Sequence, residues 1–133
     1  MNYVYPAIFY PEPDGKFSVI FPDLNDLATF GNDLSDAFAM ATEACSMYLF
    51  NSLRDGELLP KPSSINDIEK DDDNAFVNMV LVDLSEYAKH HSDKAIKKTL
   101  SIPTWLNTLC EKKNINYSKV LQEPLINKVQ EKI

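Results

Sequence analysis

Between Tyr3 and Tyr10 aromatic and branched residues run almost without interruption, which predicts a first strand. Pro13-Asp14-Gly15 supplies turn chemistry, and Phe17, Val19 and Phe21 then fall on one face of a second strand, completing a hairpin. Pro22-Asp23 ends that strand, Leu24 to Asp26 form a turn, and Leu27 to Phe30 make a short third strand closed by Gly31. From Asp33 the period changes. Asp33 is placed to cap a helix, with Asp36 three residues on, and Leu34, Phe38, Ala41, Cys45, Tyr48 and Ser52 recur at helical spacing over about 20 residues.

The helix should end near Gly56, and Leu58-Leu59-Pro60-Lys61-Pro62-Ser63 is too rich in proline to continue it. Glu69 to Asp73 reads as a solvated acidic loop. Ala75 to Val82 is apolar on both alternating faces apart from Asn78, the pattern of a strand inside a sheet or covered on both sides, and it is expected to join the first hairpin. The fold class predicted for the first domain is therefore α+β, one long helix packed across a sheet. Leu84 to Lys94 is polar around Tyr87 and reads as a connection with room for a short helix.

A second pattern begins at Lys97. Lys98, Leu100 and Ile102 share one face of a short strand, and Lys97, Thr99 and Ser101 share the other. Pro103 opens a helix carrying Leu106, Leu109, Cys110 and Lys113 on one side, and Asn116 caps a second with the stripe Val120, Leu121, Leu125, Val129 and Ile133. Pro124 lies inside that second helix and should kink or break it. So short a segment cannot bury its stripe alone, and its strand has nothing to pair with in its own chain, so a homodimer, with room for a higher assembly, is expected. Two paired strands would form a ribbon that fits the major groove of DNA, with Lys97, Thr99 and Ser101 facing the bases. Asn116, Tyr117, Ser118 and Lys119, at a helix start, would meet the phosphate backbone, and Lys112 and Lys113 would add salt-dependent attraction.

Charge sharpens this division. The 133 residues carry a net charge of −7, but residues 94–133 hold eight lysines against three glutamates, and residues 1–93 hold five bases against 17 acids. Two segments of opposite sign suggest two partners, one basic and one anionic. Asp23, Asp26, Asp33 and Asp36, around the third strand and the helix start, are the candidates for contact with the basic partner. No apolar run is long enough to cross a membrane and Met1-Asn2-Tyr3 does not resemble the start of a secretory signal, so a cytoplasmic protein is expected.

Little in the chain points to catalysis. Cys45 and Cys110 are far apart without ligand-spaced neighbours and are expected to be buried small hydrophobes, and adjacent His90 and His91 cannot share a metal as an i, i+4 pair would. Three glycines leave no phosphate loop, and no nucleophile stands beside a base in the pattern. Asp14, Asp23, Asp26 and Glu43 show no converging set for two metal ions. Neither enzymatic activity nor a cofactor is expected. A repressor with a small-molecule sensing or oligomerising first domain, and a metal-dependent nuclease, are the competing classes.

The pieces Tyr5-Pro6-Ala7, Asp14-Gly15, Phe21-Pro22-Asp23-Leu24, Thr29-Phe30-Gly31, Ala37 with Ala41 and Ala44, and Leu59-Pro60-Lys61-Pro62-Ser63 occur in an order that resembles the HicB antitoxins of HicA–HicB toxin–antitoxin systems. The family often has a cysteine where this chain has Asn25-Asp26-Leu27-Ala28. Residues 96–132 resemble the ribbon-helix-helix module of bacterial repressors, with Pro103 at the strand-to-helix junction. The resemblance implies a partial ribonuclease H-like toxin-binding domain over 1–83, a linker over 84–95 and a ribbon-helix-helix domain over 96–133. It also implies the partners: a small basic HicA-like mRNA interferase, silenced by the first domain, and the operator DNA of the pair's own operon.

Overall fold

The computed structural model describes residues 1–91 and 95–131. It divides into two compact units, Met1–His91 and Ser92–Ile133. In the first unit β1 (Asn2–Pro11), β2 (Phe17–Phe21), β3 (Leu27–Gly31) and β4 (Phe76–Asp83) form one antiparallel sheet in the order β3-β2-β1-β4. Helix α1 (Leu34–Arg54) packs across one face, and a short α2 (Leu84–His91) follows β4.

The hairpin register sets Ile8 opposite Ile20 and Phe9 opposite Val19. This places Tyr5, Ala7, Phe9, Val19, Phe21, Val80 and Val82 on the face that meets Ala37, Ala41, Cys45 and Leu49 of α1. Small residues at i, i+4 and i+8 on α1 let the helix lie close to the aromatic-rich sheet. The β1–β2 turn needs left-handed backbone at Asp14 and Gly15 (φ 67° and 76°), a conformation that Asp and Gly accept more readily than most residues. At Gly31 the reason is proximity: a Cβ there would strike the backbone of Ala37, so glycine lets β3 turn directly into α1. Asp33 caps α1 as its spacing predicts, accepting from Asp36 N at 2.8 Å, while the Asp36 carboxylate accepts from Asn32 N.

One expectation changes. Strand β4 is neither central nor covered on both sides: the other side of β1 is taken by β2, so β4 is an edge strand and Leu81 is 59 % exposed. The short helix for which residues 84–94 left room is α2, whose Tyr87 ring stands edge-on to Phe50 of α1 at 5.5 Å and whose first turn is capped by Asp83. Residues 92–94 of the expected linker lie outside the described residues. Among the described residues, 95–103 hold no strand; a ladder there needs a second strand to pair with.

In the second unit α3 (Thr104–Lys112) and α4 (Tyr117–Val129) are joined by a turn through Asn114 (φ 54°). Helix α4 is not broken at Pro124 but continues through it to Val129. Ile133, the end of the expected stripe, lies outside the described residues. Among the described residues neither helix contains a buried side chain. Trp105, Leu109, Val120, Leu125 and Val129 are all exposed. Cys45 is buried as expected, whereas Cys110 is only partly so.

Candidate functional site

The four aspartates singled out for partner contact surround the start of α1 and the turns beside it, but most already have work inside the fold. Asp23 accepts from both the backbone N and the hydroxyl of Ser63, each at 2.7 Å, and so ties the proline-rich segment after α1 to the end of β2. The Tyr5 hydroxyl adds a second tie by donating to the Pro60 carbonyl at 2.5 Å. Asp33 and Asp36 serve the helix cap. Asp26, exposed in a left-handed turn (φ 56°), has no such role and keeps its carboxylate at the surface. Sequence spacing located these residues and their turn roles, but the pairing of Asp23 with Ser63, 40 residues away, has no local signal.

A group missed by the sequence reading lies around Tyr10. Its hydroxyl donates to Asp71 at 3.1 Å, and Tyr10, Asp71, Asp72, Asp73 and Asn74 line an open cleft of about 640 Å³. Loss of water raises the Tyr10 pKa, and the bond to Asp71 with the charges of Asp71, Asp72 and Asp26 raises it further. Asp71, Asp72 and Asp73 thus gather three acidic side chains beside Tyr10. Among the described residues no three His, Cys, Asp or Glu side chains are grouped so that they could hold a metal ion.

The nucleic-acid candidates fall into two stretches of the second unit. Lys97, Thr99 and Ser101 are exposed in the irregular segment before α3. Asn116 caps α4, accepting from the first-turn amide of Lys119 at 3.1 Å at the electropositive end of the helix. Ser118 and Lys119 are exposed there. Tyr117 is exposed there too, and its hydroxyl donates to Asn107 Oδ1 at 2.6 Å, linking α4 to α3. Among the described residues no helix is long and apolar enough to cross a membrane.

Comparison with known proteins gives this arrangement a family. Residues 5–124 match the model of the HicB-like antitoxin of bacterial toxin–antitoxin systems. Antitoxin HicB of Escherichia coli K12 is 32 % identical over 62 residues, which are 47 % of this chain and 45 % of that relative, so the match spans less than half of either. Among solved structures, a chain of a toxin–antitoxin complex from Streptococcus pneumoniae aligns with a TM-score of 0.62 at 33 % identity, over 96 % of this chain and 99 % of that one. The antitoxin HicB of Burkholderia pseudomallei shares the fold, with a TM-score of 0.54 at 18 % identity over 95 % of this chain and 96 % of that one. A chain of a HicA3 and HicB3 toxin–antitoxin complex shares it over 61 % of this chain and 99 % of that one, with a TM-score of 0.50 at 23 % identity. A family match running through the sheet, α1 and most of the second unit places this chain in the HicB-like antitoxin family.

Proposed function

We propose that this chain is a cytoplasmic type II antitoxin that binds and neutralises a small basic mRNA interferase of the HicA type through its first unit, and represses its own operon through its second. The observation that carries the reading is the family match over residues 5–124, which spans both units. The charge division supports it: an acidic first segment suits a basic protein, and a lysine-rich tail suits DNA. In this reading the sheet and α1 are a partial ribonuclease H-like domain without catalysis. Asp23 accepts from Ser63 on both of its oxygens, a tie within the fold.

The tail acts as a ribbon-helix-helix homodimer. Pairing residues 97–102 of two copies supplies the missing ladder, and bringing four helices together covers the apolar side chains that one copy leaves in water. Lys97, Thr99 and Ser101 then face the major groove, and the α4 N-terminus with Ser118 and Lys119 meets phosphate. Tyr117 contributes by fixing the angle between the helices.

Two experiments test the halves separately. The tagged full chain, isolated from its own cells at moderate salt, should carry a stoichiometric basic HicA-family protein, identified by mass. Arrival of the chain alone would remove the toxin from the account. Replacing Lys97 and Thr99 by Ala should abolish specific binding to promoter DNA in a mobility-shift assay and leave toxin capture intact. Loss of both activities together would contradict separable roles for the two units.

A further inference from the structure

The free edge of β4 differs from edges that proteins protect. Strands at sheet edges are commonly blunted by lysine, proline, a bulge or extreme shortness. Strand β4 is eight residues long, and its first seven, Phe76 to Val82, include no charge and no proline. Three hydrogen bonds fix which way its backbone points. Glu12 N donates to Lys16 O in the β1–β2 turn, so even-numbered β1 residues face β2 and odd-numbered ones face β4. Leu84 N donates to Met1 O, which continues the same alternation past the strand end. Met79 N donates to the side chain of Asn78, opposite Pro6, and so points away from β1.

Val77, Met79 and Leu81 therefore turn their N–H and C=O groups to the open edge. Asn78 occupies the amide of Met79, leaving the amides of Val77 and Leu81 and three carbonyls without a protein partner among the described residues. Beside this edge Leu81 and its cross-strand neighbour Val4 are exposed, an apolar contact next to an open ladder.

We propose that the toxin docks on the free edge of β4, adding a strand to the antitoxin sheet and seating an apolar side chain against Leu81 and Val4. The inference rests on the antitoxin reading and names the surface that reading left open. Charge selects the occupant. Asp71, Asp72 and Asp73 lead into β4 and Asp83 ends it, while Lys70 is engaged by the Ala75 carbonyl. A second copy pairing antiparallel along β4 would bring its Asp83 towards the Asp71–Asp73 run, setting like charges together. A strand flanked by lysine or arginine meets the opposite sign at both ends.

The test uses the full chain and the toxin recovered from the co-purified complex. Upon toxin addition, residue-resolved amide exchange of Val77 and Leu81 should slow at least tenfold, while Ala28 and Phe30 on the β3 edge stay unchanged. Leu81→Pro, which removes an outward amide, should weaken toxin binding at least 30-fold, and Leu81→Lys at least tenfold with an unchanged melting temperature. Protection confined to β3, or toxin binding by Leu81→Lys within twofold of the parent, overturns the proposal and leaves the antitoxin reading standing. Protection of Leu81 without toxin, accompanied by self-association that Leu81→Lys abolishes, assigns the edge to a second copy and also overturns it. Failure of the parent chain to bind the toxin removes both.

Discussion

Tyr5 and Cys45 face each other across the core, and burial pushes both of their pKa values up to about 12. Unfolding would return them to about 10.0 and 9.0. The folded chain thus keeps protons that the unfolded chain releases, so stability that is complete below pH 9 declines as pH rises from there towards 12. Melting temperatures measured between pH 7 and 11 should fall above pH 9, and Cys45→Ala should delay the onset. In the same molecule a thiol reagent should label Cys110 before unfolding and Cys45 only after it. Asp23 offers a second test at this scale. Its two bonds to Ser63 join positions 40 apart in the chain, and Asp23→Ala should cost about 2 kcal/mol, read as a lower denaturant midpoint at unchanged slope.

At the scale of elements, the local code was legible wherever one residue decides the backbone. The cap at Asp33, the β1–β2 turn at Asp14-Gly15 and the cap at Asn116 follow from side-chain chemistry within four residues, and the structure has all three. Strand β4 was legible as a strand but not as an edge, because apolar residues on both of its faces describe burial and not neighbours. Helix α2 was legible as a short helix around Tyr87, but not the ring of Phe50 on which Tyr87 packs, a tertiary contact. Helix α4 passes through Pro124, which cannot donate to the Val120 carbonyl one turn back. Pro124→Ala should therefore raise the unfolding temperature of the second unit, a gain of about 1–3 kcal/mol seen by far-UV circular dichroism at fixed protein concentration.

Across the whole molecule, the two units solve different problems. The first closes a core of its own around Phe9, Phe21 and Leu49, while among the described residues neither helix of the second contains a buried side chain. That contrast was readable from the sequence because a short amphipathic segment cannot complete a core, and because the charges divide at the same place. The partner surfaces were less readable. Three of the four aspartates chosen by proximity along the chain also serve as caps or ties, whereas the acidic cleft at Tyr10 and the edge position of β4 arise only when residues more than 60 positions apart meet in the fold. The central claim is neutralisation, and it is tested most directly by titrating the full chain into its isolated toxin while following cleavage of an RNA substrate. Cleavage should fall linearly and stop at a stoichiometric ratio; cleavage that persists with the chain in excess would contradict the account.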